Sequence, residues 1–180
     1  SYIQFLLEFR HIIYIIIFQN RKMKINLIIL AVLLRLLVSG LLFHPDIKTI
    51  AFQTSFLSKG VINIYPYLIQ NKANLPLKEE FVYFPLTYFT IGSYQTILSN
   101  FLGDSFDKWL IDADANSVVN NPNIFKFLIL LKLPLLMMDM AIAYLLLNFF
   151  KDLNLGKRAF ELWLFNPFTI ILIYAFSNID

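Results

Sequence analysis

Three stretches of this chain are each long and apolar enough to call for surroundings without water. A helix needs about 20 mainly apolar residues to cross the hydrocarbon core of a bilayer. Segments 25–43, 127–150 and 159–176 meet that standard. The second is the most apolar, even with Lys132, Pro134 and Asp139 inside it. Composition points the same way: 58% of the residues are hydrophobic and 15% are charged, where soluble domains carry about 45–50% and about 25%. These features argue against a water-soluble monomer. We expect an all-α, polytopic, multi-pass integral membrane protein, since spanning helices satisfy their own backbone polar groups. The chain has no Cys, so neither disulfides nor thiolate metal sites enter the reading. A scattered net charge of +3 gives no footprint for nucleic acid.

The sequence starts at Ser1 and stops at Asp180 just after an apolar run, which suggests part of a longer polytopic protein. Residues 3–18 resemble a signal peptide in apolarity, but Glu8, Arg10 and His11 interrupt them. No small-residue cleavage site follows before Arg21, Lys22 and Lys24. Residues 1–24 therefore read as a cytoplasmic or interfacial segment, and 25–180 as an incomplete transmembrane domain.

Charge sets the expected direction of the spans. Residues 1–24 carry a net charge of +3 and the short loop 151–158 a net +2, while 44–125 carries a net −2. With three crossings the two basic segments share the cytoplasmic side, as the positive-inside pattern requires. The long segment 44–125 and Asp180 then lie outside. Segment 82–102 is a weaker candidate, rich in Tyr, Thr, Ser and Gln. It suits a helix packed on protein near the outer interface better than a fourth span. Residues 47–58 and 61–71 mix apolar and polar positions around Gly60 and read as two short juxtamembrane helices. Polar residues 103–123 read as a loop with one short helix around Trp109.

Few side chains are placed to carry chemistry. Asp46, in His44-Pro45-Asp46 directly after the first span, would sit at the outer water–lipid boundary. Partial desolvation there makes a carboxylate a better base; alternatively, Asp46 caps the helix that follows. Asp180 falls on the same face and could divide labour with it, or be an ordinary helix terminus. Asp139 and Lys132 lie inside the second span, seven residues apart. Ionisable groups there are costly and often functional, although an interhelical hydrogen bond is an equal reading. Arg35 either snorkels or binds an anionic head group. The two His residues, His11 and His44, lack zinc-site spacing. No metal ligand set is visible, and dependence on a divalent metal stays open.

A series of short motifs resembles a known family. In order these are Asp46 after the first span, then Phe81-Val82-Tyr83-Phe84-Pro85-Leu86-Thr87-Tyr88, then Lys132-Leu133-Pro134 with Asp139. Asn166-Pro167 and Ser177-Asn178-Ile179-Asp180 follow. The order is similar to the N-terminal part of GT-C glycosyltransferases, above all the dolichyl-phosphate-glucose-dependent glucosyltransferases and their prokaryotic relatives. Phe84 stands where a first Pro is often seen, and the last element matches only at its acid. The resemblance implies transfer of a glucosyl or mannosyl unit from a polyprenyl-phosphate donor to an acceptor hydroxyl on a glycan, at the outer face, with inversion. Asp46 maps onto the catalytic base, with Asp180 as its possible catalytic partner. Arg35, Lys48, Tyr83 and Tyr88 are candidates for substrate binding, and Lys48, Lys59 or Arg35 for neutralising the leaving phosphate. The implied location is the plasma membrane of a prokaryote or the endoplasmic reticulum of a eukaryote. A transporter with Arg35, Lys132 and Asp139 along its path is one rival. A non-enzymatic membrane scaffold is another.

Overall fold

The computed structural model describes residues 25–176, which are helical with no strand among them. The N-terminal segment 1–24 and the last four residues, Asp180 included, lie outside the described residues.

Helix α1 (Ile25–Leu41) ends where the chain approaches Pro45. The residue before a proline is steered away from helical geometry, and His44 is extended at φ −123°, ψ 137°. Helix α2 (Pro45–Thr54) restarts at once with Pro45 in its first turn, where a missing N–H costs nothing. It runs on as a 3₁₀ turn, Ser55–Lys59, which Gly60 closes in the left-handed region at φ 80°. Helix α3 (Ile64–Asn71) follows, then α4 (Pro85–Leu102), again opened by a proline. Gly103, at φ 65°, separates α4 from α5 (Asp104–Ile111). The Asp114 carboxylate caps α6 (Ala115–Val119). The two short helices expected near 47–58 and 61–71 are present, as is the one around Trp109; α6 is an addition to the expected loop.

Helix α7 (Ile124–Phe149) has 26 residues, a length of about 39 Å. Pro134 lies inside it and offers no N–H to the carbonyl four residues earlier. That carbonyl, of Leu130, instead accepts from the Tyr94 hydroxyl of α4 at 2.7 Å. The proline is thereby accommodated, and α4 is fixed against α7.

The third apolar segment is not one continuous helix. It consists of α8 (Gly156–Leu164), a break at Phe165 and Asn166, α9 (Pro167–Ile170) and a π-helical turn, Ile171–Ala175. The Asn166 side chain caps the restart by accepting from the Phe168 N–H, and Pro167 takes the first position. A cap followed by proline starts a new helix, whatever the hydropathy of the window.

Two cores result. Ala31 of α1, Ala143 of α7 and Phe160, Leu164 and Phe165 form the first, with Leu27, Ile28 and Leu147 around it. In the second, α2 to α6 fold over the first half of α7, with Phe106, Trp109 and Phe127 at its centre. Contacts fix the directions. Arg35 meets Asp139, and Ser39 and Leu42 meet Lys132, so α1 and α7 are antiparallel. Leu164 lies level with Arg35, and the Tyr174 carbonyl level with Lys132, so the third segment runs parallel to α1. Among the described residues, α7 is long and apolar enough to cross a membrane; α1 with α2, bent by 86° at their junction, makes a second if the pair is one span.

Candidate functional site

Asp46 occupies the bend between α1 and α2. The helix cap is His44, not Asp46: its Nδ1 accepts from the Asp46 N–H at 3.4 Å, and Asp46 stands one residue inside, in the first turn. Its carboxylate is 56% exposed and approaches His44 Nδ1 at 3.4 Å. A carboxylate in a first turn also meets the positive end of the helix dipole. The His44 ring lies edge-on to Phe176, with centroids 5.9 Å apart. The end of α1, the start of α2 and the end of the third segment therefore meet at one corner. An exposed carboxylate there has lone pairs free to take a proton from a hydroxyl group.

Beneath this corner lies a buried polar network. Asp139 Oδ2 accepts from Arg35 Nε at 2.6 Å and from the Tyr174 hydroxyl at 2.8 Å. Its Oδ1 accepts from Trp163 Nε1 at 2.6 Å. Both charged side chains are fully buried. Arg35 also answers a need created by the chain break. Pro167 has no N–H for the Trp163 carbonyl, which keeps only the Asn166 N–H at 3.3 Å, and the Phe168 N–H is held by the Asn166 cap, which leaves the Leu164 carbonyl without a helical donor. The Arg35 guanidinium donates to both, at 3.4 Å and 2.7 Å.

Lys132 does not approach Asp139. Its ammonium donates to the carbonyls of Ser39, Leu42 and Tyr174 at 3.2, 2.8 and 2.6 Å. All three of its donors are thereby spent at the C-terminal end of α1 and on the π-helical turn, where a cation is favoured. Arg35 does not snorkel. Each side-chain nitrogen and oxygen of Arg35, Asp139 and Lys132 has a protein partner, so the network joins α1, α7 and the third segment and holds no free base.

The other candidates divide. Lys48 points inward and donates to the carbonyls of Leu110 and Asp112 at 3.0 and 2.5 Å, with its ammonium 5.7 Å from the centre of the Trp109 ring. Burial lowers its affinity for a proton, and Asp112 partly offsets this. Tyr88 is buried and donates to the Val61 carbonyl at 2.6 Å, while the Tyr83 carbonyl accepts from Tyr65 at 2.5 Å. Both belong to the aromatic cluster around Phe81. Lys59 lies over the Phe56 ring at 4.8 Å. Among the described residues, no three His, Asp or Glu side chains are grouped to hold a metal ion. Trp163 and Tyr174 were not singled out by sequence reasoning. Their signal was the polar edge of an aromatic side chain inside an apolar segment, which needs a buried partner. Comparison of the chain with protein-family models, curated proteins and solved structures gives no match.

Proposed function

We propose that this chain forms part of a multi-pass membrane glycosyltransferase of the GT-C type, with Asp46 as general base. The supporting observation is the exposed Asp46 carboxylate at the corner where α1 and the third apolar segment, which run parallel, both end. Among the described residues, rows of large apolar side chains on the three apolar segments are half or more exposed: Ile29, Leu33 and Leu37 on α1, Met137 and Leu145 on α7, Leu162 and Leu172 on the third. An apolar surface of that extent suits lipid. The basic segments 1–24 and 151–158 favour the opposite side of the membrane from Asp46. A polyprenyl-phosphate sugar in the same leaflet would present its anomeric carbon at this height.

In the reaction, Asp46 takes the proton of the acceptor hydroxyl as that oxygen attacks the anomeric carbon. The bond from that carbon to the phosphate oxygen breaks, and its electron pair leaves with polyprenyl phosphate. Attack opposite the leaving group inverts the configuration. Of the three cations considered for the departing phosphate, Arg35 and Lys48 are committed to buried hydrogen bonds, and Lys59 stands at the far end of the helical stretch that starts beside Asp46. The transporter reading gains no support from a network in which Arg35, Asp139 and Lys132 already hold all their partners.

Asp46→Asn tests the role, because Asn keeps the size and tolerates a first turn but is no base. Membranes from cells producing the protein would be supplied with polyprenyl-phosphate glucose or mannose, and glycan products counted. Transfer should fall by about 10²–10⁴-fold, the usual effect of losing a general base, at an unchanged protein level. Turnover within about threefold of the parent, far short of that effect, would reduce Asp46 to a first-turn acid.

A further inference from the structure

Away from Asp46, a cavity of about 470 Å³ opens between the 3₁₀ turn after α2, the second half of α4 and α5. Its volume is in the range of small-molecule sites, roughly 300–1,000 Å³. Gln95, Lys59, Lys108, Asp104 and Asp107 line it, over an apolar floor that includes the fully buried Phe106.

Gln95 is the telling residue. It is 2% exposed, and its amide nitrogen has no hydrogen-bond partner. Its Oε1 is 2.6 Å from the Thr54 hydroxyl, which is also 2.8 Å from the Ile50 carbonyl. A hydroxyl has one proton. If that proton serves Ile50, the amide must turn to donate to Thr54, leaving its oxygen unpartnered instead. In either orientation one end of the amide lacks a protein partner, and leaving a buried polar group unmet is costly. A ligand hydroxyl satisfies both cases, since it donates and accepts.

The remaining lining selects the same chemistry. Two lysines and two aspartates balance in charge, and none of the four is in an ion pair among the described residues. A phosphate site would carry an excess of cations and a metal site an excess of acids. Ser58 and Ser99 donate to backbone carbonyls, leaving their oxygens able to accept. Donors, acceptors and an apolar floor together match a neutral ring bearing many hydroxyls.

We propose that this cavity binds a neutral saccharide, as the part of the acceptor glycan remote from the reacting hydroxyl. Ser55, at the cavity, is nine residues beyond Asp46, or about 14 Å along a helix. One sugar ring cannot touch both, so the cavity contributes binding energy at a distance from the chemistry. Only the word acceptor rests on the transferase reading; saccharide binding stands or falls separately.

The experiment is saturation-transfer NMR on the protein in lipid nanodiscs, with cellobiose, maltose and diacetylchitobiose as probes and inorganic phosphate as competitor. At least one disaccharide should bind. Gln95→Met and the surface change Asp107→Asn should each weaken it, by about tenfold for the buried amide. Asp46→Asn should leave binding intact even if transfer is lost. Binding of no probe, equal binding in both cavity variants with unchanged circular dichroism, or displacement by phosphate would overturn the proposal.

Discussion

Arg35 and Asp139 show how a charge pair is kept in an apolar bundle. Burying either ion alone is costly, and their attraction repays it only when the remaining donors and acceptors are met. Here Trp163 and Tyr174 complete the carboxylate, and the carbonyls of Leu164 and Trp163 complete the guanidinium. Removing one partner, by Arg35→Met or Asp139→Asn, should destabilise the fold by about 3–5 kcal/mol. The double variant should recover part of that loss, short of all of it because the Leu164 carbonyl loses its donor. Unfolding in detergent micelles, arranged as a double-mutant cycle, measures this. Single losses under about 1 kcal/mol, as for a solvated pair, would contradict a closed network. Lys48 makes a second claim at this scale. Burial holds its proton affinity below the usual value of 10.5. As pH approaches 10.5 from below, the unfolded chain holds a proton that the folded chain has released, so stability rises with pH. The parent should therefore gain stability relative to Lys48→Met as pH rises toward that value and lose the gain on return to neutrality. Parallel curves for the two proteins would rule the burial effect out.

At the scale of elements, apolar windows and prolines made most helices legible. Pro45 and Pro85 each start one, and Gly103 separates two. The break in the third segment was missed because hydropathy averages over side chains and ignores backbone donors. Asn166-Pro167 carried that information as a cap followed by a proline. Spacing along one helix suggested Lys132 as a neighbour of Asp139. The actual partner, Arg35, is 104 residues away and depends on how α1 and α7 cross. His44 displaced Asp46 from the cap because the helix begins two residues earlier than expected, at Pro45. Gly156 was not singled out either, yet the turn from α7 to α8 depends on it. A Cβ there would lie 2.2 Å from the Leu147 carbonyl oxygen, a backbone atom that no rotamer change can move. Gly156→Ala should lower the thermal midpoint, with an overpacking cost of about 1–3 kcal/mol, although alanine is the better helix former by about 1 kcal/mol. An unchanged or higher midpoint would mean that the turn opens freely.

For the whole molecule, the topology we propose turns on which ends of the helices share a side of the membrane. The up–down–up order of α1, α7 and the third segment puts residues 151–155 at the opposite end from the helices over the first half of α7. The absence of native Cys makes single introduced thiols clean reporters. Asn74 and Asn116 are exposed on either side of α4, and Leu153, 64% exposed, lies in the turn after α7. Leu153 is a better site than its neighbour Asn154, whose backbone at φ 58° disfavours most side chains. An impermeant thiol reagent added to intact cells should label Asn74→Cys and Asn116→Cys and leave Leu153→Cys unreacted until the membrane is opened. Asn116 and Leu153 bracket α7, so a difference between them tests whether that helix crosses. Asn74 and Asn116 bracket α4, so equal labelling of those two keeps α4 on one face. Labelling of Leu153→Cys and Asn74→Cys without Asn116→Cys would make α4 a span and return the basic loop 151–158 to the outside. Asp46 precedes Asn74 with no helix of spanning length between them. A protected Asn74→Cys would therefore set Asp46 on the inner face and remove the basis for sugar transfer at the outer one.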